Sequence, residues 1–137
     1  MSKLETADLA LKDSTDGAPV KIAGTAWNSV TELHTISDAT AIDAVFLRLW
    51  NDDTSRALIK LILNPDDDTT QSNVDAVTVD VWVPAQSDVW ALQGDRLWKS
   101  ATQSNYTVAA YVNDSGQANK VRASGWATRR TQDDVTP

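Results

Sequence analysis

Cysteine is absent from the 137 residues, and histidine occurs once, at position 34. The first absence removes disulfides and thiolate nucleophiles. The two together remove the usual zinc sites within one chain, unless carboxylates dominate the ligand set. The redox compartment stays open, because a domain of this length can bury a core without staples. Glycine is scarce: the five residues are isolated from one another, so no phosphate-cradling loop is present. No Gly-x-Ser-x-Gly elbow is present either, and a Ser-His-Asp triad would have to be built around His34. The apolar runs are far too short to span a bilayer. Met1–Thr6 lacks the apolar stretch of a signal peptide, so the chain is expected to be soluble and cytosolic when made.

Glutamate is nearly missing as well. Of 19 acids only Glu5 and Glu32 are glutamate, and the other 17 are aspartate. Aspartate favours turns and caps whereas glutamate favours helices, so the skew predicts many turns and little helix. The net charge of −7 disfavours a phosphate-neutralising surface, which argues against nucleic acid as a general partner. The charge is uneven. Residues 1–95 carry 16 acids and 6 bases, residues 96–137 carry 3 acids and 6 bases. Solvated surface charge is the expectation; a basic end meeting another subunit's acidic loops is the alternative.

What is present is a two-residue period. Val77, Val79, Val81 and Val83 alternate with Thr78, Asp80 and Trp82, the pattern of a half-buried strand that Pro84 ends. Val45, Leu47 and Leu49 alternate with Phe46, Arg48 and Trp50. The turn Asn51–Ser55 and a second apolar run, Arg56–Leu63, follow, and the pair reads as a hairpin. Asn64–Asn73 is the longest polar stretch and predicts an exposed loop. Further strands are expected at Val20–Ala23, Ser29–Ile36, Asp88–Leu92, Arg96–Ser100, Tyr106–Asn113 and Lys120–Thr128, with breaks at Gln93-Gly94-Asp95, Ala101–Asn105 and Asp114–Gln117. About eight strands with turns every 8–12 residues predict an all-β fold, an antiparallel β-sandwich of jelly-roll or Ig-like type. Residues 1–19 are read as an extended N-terminal arm, 20–128 as the sandwich domain and 129–137 as a flexible C-terminal tail.

Candidate chemistry is sparse. His34 is expected on the surface or at a subunit axis. Asp66-Asp67-Asp68 offers clustered oxygens, but the glycine and terminal glutamate of a calcium loop are missing, so a solvated loop is expected. Nothing singles out a carboxylate pair for glycoside hydrolysis. No catalytic residue, cofactor or metal is assigned. The one excess is tryptophan: Trp27, Trp50, Trp82, Trp90, Trp98 and Trp126, against one phenylalanine and two tyrosines. Core or subunit interface is the expectation for the set. Sugar stacking on an exposed face is the alternative, with Trp82 its best candidate because it lies opposite the valines.

Several segments carry a resemblance. Thr31–Ile36, then Ala41–Trp50 with the turn Asn51-Asp52-Asp53-Thr54, resemble the opening of small tailed-phage virion proteins. Val83-Pro84-Ala85 and Trp90–Leu97 resemble the "L-x-x-G-D-x-L" hairpin of the same group, and Val121–Trp126 is similar to its closing strand. The match spans roughly residues 30–128 and is one of pattern. It implies a non-enzymatic β-sandwich of capsid decoration (cement) type, made in the host cytoplasm and seated on the capsid surface. It further implies a homo-oligomer, a trimer, bound to the major capsid protein, with neither membrane nor nucleic acid as partner. A tail or fibre accessory that binds a glycan or receptor is the other role it allows. On the cement reading Leu4, Leu9 and Leu11 anchor the arm to the shell, Trp27 lies at its junction, and multivalent attachment stabilises capsomer junctions.

Overall fold

Exposure along β4 (Ala41–Asn51) alternates almost residue by residue. Ala41, Asp43, Val45, Leu47, Leu49 and Asn51 are buried, while Ile42, Arg48 and Trp50 are exposed. One face of this strand therefore belongs to a core and the other to solvent, as its two-residue period requires. The structure is a computed structural model that describes residues 4–11, 18–64, 76–99 and 104–132.

The remaining strands are β1 (Leu4–Ala10), β2 (Val20–Lys21), β3 (Thr31–Ile36), β5 (Ala57–Asn64), β6 (Val77–Val83), β7 (Asp88–Leu97), β8 (Tyr106–Val112) and β9 (Val121–Gln132). All pairs are antiparallel. One sheet has the order β1-β9-β4-β7, with β2 also on β9; the other has the order β3-β8-β5-β6. β1 and β2 run along the same edge of β9, so each sheet is four strands wide. From β2 onward the chain changes sheet at every step except β5 to β6. Of the two sandwich types expected, that winding is the jelly roll. Among the described residues the helical content is two three-residue 3-10 turns, Trp27–Ser29 and Ser115–Gln117.

The core lies between the sheets. Val45, Leu47, Leu49, Val121, Ala123 and Ala127 from one sheet meet Leu33, Ile36, Ile59, Leu61, Val108 and Val112 from the other. Each large side chain removed from water there contributes roughly 1.5–3 kcal/mol before entropy is counted.

Several expectations are corrected. β4 and β5 are not a hairpin, for they lie in opposite sheets. The buried Asn51 redirects the chain: its Nδ2 donates to the carbonyls of Ser55 (2.9 Å) and Val83 (3.2 Å), and its Oδ1 accepts from the Asp53 amide (2.9 Å). Gln93-Gly94-Asp95 is not a break between two strands. β7 runs through it on a bulge, where Gly94 takes φ +83° and the pairing to β4 slips. Residues 129–132 are not tail but the end of β9, paired with β1 and β4. Residues 4–10, expected to lie within an extended N-terminal arm, pair with β9 as β1, and Leu11 is buried in the core. The Asp66–Asp68 loop lies outside the described residues.

Candidate functional site: an outer aromatic face and a buried ionic tie

The outward row of β4 is Ile42, Ala44, Phe46, Arg48 and Trp50, and register fixes what lies beside it. On β9, Trp126 stands opposite Phe46 and Arg122 opposite Trp50; on β7, Trp90 stands opposite Arg48 and Asp88 opposite Trp50. Four aromatic rings thus reach one solvent face of the β1-β9-β4-β7 sheet. Phe46 and Trp126 stack with centroids 4.7 Å apart and planes at 14°, and Trp90 meets Trp126 edge-on at 6.5 Å. Two glycines make room. Gly125 has φ +150°, and a Cβ there would stand 1.9 Å from the Phe46 carbonyl oxygen; Gly94 lies beneath the Phe46 ring, its would-be Cβ 3.0 Å from Cζ.

Charged groups hold the rings. The Arg48 guanidinium lies 5.5 Å over the Trp90 ring and pairs with Asp88. Trp50 Nε1 donates to Asp52 Oδ1 (2.5 Å), whose other oxygen accepts from Arg122. The rings are nonetheless open to solvent, with Trp50, Trp90 and Trp126 each 41–42% exposed. This surface has stacked rings at its centre, with paired charges around it. That is the make-up of a protein–protein hot spot, where Trp and Arg carry most of the energy.

The second constellation is internal. Asp43 on β4 is fully buried. Its Oδ2 is 2.5 Å from His34 Nε2 on β3, and Arg129 of β9 donates from Nε to Oδ1 and from Nη2 to Oδ2, both at 2.8 Å. Burial alone pushes the Asp43 carboxyl up, but the hydrogen bonds from Arg129 and then His34 outweigh it and hold the group below its ordinary value. An ionised carboxylate only accepts, so His34 carries its proton on Nε2. The expectation of a surface or axial histidine is overturned: His34 is buried, and it ties one sheet to the other.

The residues singled out from sequence are not gathered in one place. Leu9 packs against the core and Leu11 is within it, both used by the chain's own fold. Leu4 stands opposite Gln132 at the start of β1. Trp27 is half-buried in its 3-10 turn, and its Nε1 has no hydrogen-bond partner among the described residues. Trp82 sits on β6 of the other sheet, 50% exposed, with the Arg56 guanidinium 4.3 Å over its ring. Core placement fails for most of the tryptophans: Trp50, Trp82, Trp90, Trp98 and Trp126 are all exposed. The aromatic face itself was missed. Its signal lies in the alternation Phe46/Arg48/Trp50, but the register that brings Trp90 and Trp126 beside that row is not written locally.

No protein-family model and no curated protein matches the chain. Solved structures similar to it include that of infectious bursal disease virus Gx strain (16% identity, TM-score 0.48, 99% of this chain and 33% of that one). A chain from Bacillus endospore appendages, which form disulfide-linked pili, is similar at 11% identity and TM-score 0.42, over 96% of this chain and 86% of that one. The Podospora anserina GH26-CBM35 β-(1,4)-mannanase is similar at 16% identity and TM-score 0.38, over 98% and 28%. The chain spans about a third of the length of the first of these. Similarity at this level defines neither a family nor a shared site. No helix among the described residues is long and apolar enough to cross a membrane.

Proposed function

We propose that this protein is a structural component of a phage virion, a capsid decoration protein that docks on the major capsid protein and is not an enzyme. The observation that carries a docking role is the preorganised aromatic face formed by Phe46, Trp50, Trp90 and Trp126. Its rings are fixed by one another and by Arg48 and Asp52 before any partner arrives, so little side-chain entropy is lost on binding. The same arrangement favours a protein partner over a sugar on this face. Phe46 occupies one face of Trp126, and Arg48 lies over Trp90, which leaves fewer ring faces free for stacking. The virion address comes from the resemblance of residues 30–128 to small tailed-phage proteins. Docking passes from the N-terminal leucines, which the fold engages, to the sheet face. Repeated weak docking of an oligomer over the shell then stabilises capsomer junctions through effective concentration.

The test is co-sedimentation of the purified protein with decoration-free shells. Binding is expected for the wild type, and Trp90→Ala with Trp126→Ala is expected to weaken it by at least about 2 kcal/mol. Full binding by the folded double variant overturns the docking face, and absence of the protein from purified particles overturns the virion role.

A tail or fibre accessory that binds glycans is the second reading, favoured by Trp82. Its ring is half exposed, and Arg56 lies over only one side of it. Glycan-array binding lost on Trp82→Ala would establish that role.

A further inference from the structure

Among the described residues five strands form the four edges of the two sheets, and three of those edges are blunted. β1 and β2 share an edge but are two separate segments, β3 carries a register shift between Glu32 and His34, and β7 carries two. Interruptions and bulges of this kind keep edges from pairing with other chains. β6 has neither. It pairs with β5 through seven consecutive residues without a slip, and among the described residues no strand pairs with its other side, which presents an unbroken run, Val-Thr-Val-Asp-Val-Trp-Val, with no proline and no lysine. Its single charge, Asp80, is matched within the fold by Lys60 Nζ at 2.7 Å.

The valines of β6 also run out from under the opposite sheet. Val83 is fully buried and Val81 packs against the core, but Val79 is 39% exposed and Val77 55%. A ladder of N–H and C=O groups that no described strand pairs with, beside exposed valines, is a site for an extended strand.

We infer that β6 pairs antiparallel with β6 of a second copy of this chain, joining two four-stranded sheets into one of eight strands across a two-fold axis. The residues select the register. Centring on Asp80 would set two carboxylates directly opposite each other, which is unfavourable. Centring on Val79 sets that residue opposite its own mate and Val77 opposite the second copy's Val81, which covers both exposed valines. It also brings the Thr78 hydroxyl opposite Asp80 as a donor to the carboxylate. The outer aromatic face lies on the other sheet and remains free, so this contact goes beyond the docking role and does not depend on it. Being isologous, it closes at two copies.

The absence of cysteine supplies a clean probe. Residues opposite one another in such a pair have Cβ atoms close enough to be bridged. Val79→Cys is therefore expected to give a covalent dimer on mild oxidation, whereas Trp82→Cys, which lies opposite residue 76, stays monomeric on a denaturing gel. In sedimentation equilibrium the wild type is expected to be dimeric. Val79→Lys, which places two cations at the axis, is expected to weaken the dimer by about tenfold or more while keeping the native circular dichroism spectrum. Trp126→Ala is expected to leave the dimer unchanged. A wild-type monomer at every concentration, a trimer, or equal crosslinking at positions 79 and 82 overturns the proposal.

Discussion

Arg129 grips Asp43 with two parallel hydrogen bonds, Nε to Oδ1 and Nη2 to Oδ2, each 2.8 Å long. The carboxylate is wholly inside the protein, while the guanidinium keeps part of its surface in water. Removing the cation leaves a buried anion with one partner in place of two. Arg129→Ala is therefore expected to destabilise the fold by about 3 kcal/mol in urea unfolding. Arg129→Lys is expected to recover only part of this, because an ammonium cannot reproduce the planar fork.

The same carboxylate shapes the response to acid. A group whose pKa is lower in the folded state binds fewer protons there than in the unfolded chain, so stability rises with pH between the two values. Asp43 is lowered, chiefly by Arg129 against the opposing effect of burial. Asp38 is lowered by the Thr40 amide and hydroxyl. Their contributions are full above the ordinary aspartate value, near about 4, and fade as the pH falls through the depressed ones. Thermal melts are expected to fall steeply below about pH 4, and Asp43→Asn, measured in the same series, is expected to flatten that acid limb.

Gly125 is a steric requirement of the β4–β9 pairing. Any Cβ there would collide with the Phe46 carbonyl, and its φ is one that L side chains avoid. Gly125→Ala is expected to cost more than about 3 kcal/mol, or to leave the chain unfolded on a chemical melt. Gly94→Ala meets only the tip of the Phe46 ring, which can move. It is expected to cost about 1–3 kcal/mol and to alter the near-ultraviolet dichroism of the stacked Phe46–Trp126 pair.

Asn51 steers the chain from one sheet to the other. Replacing it with alanine leaves the Val83 carbonyl and the Asp53 amide without this partner, and Asn51→Ala is expected to lower stability by about 2 kcal/mol in urea unfolding.

The strands were legible because their period is local. Val45/Leu47/Leu49 and Val79/Val81/Val83 announce which side chains share a face without reference to the rest of the chain. What was not legible depended on distant partners. The Asn51–Ser55 turn has the composition of a hairpin loop, but its bonds run to distant residues, Val83, Gln86, Gln117 and Lys120 among them, and these carry it across the sandwich. Gly94 resembles a turn residue until β4 is seen running straight past it. His34 and Arg129 looked like a surface group and a tail residue, because their common partner Asp43 lies 9 residues from one and 86 from the other. Trp50, Trp90 and Trp126 become a surface only through a register that spans most of the chain.

β9 lies at the centre of its sheet, with β4 on one side and β1 and β2 on the other. Of the described strands, the first two are thus bonded to β9, the last. On a ribosome β4 and β7 can meet once residue 97 has emerged, but residues 4–10 have no partner until residues 121–132 follow. The order of synthesis is therefore not the order of assembly, and the sheet stays unfinished until β9 has been made. With closure resting on so long a loop, folding is expected in the slow, millisecond-to-second range of all-β domains. A chain that stops short of Val121 loses the keystone between its first strands and its middle, rather than a trimmed end.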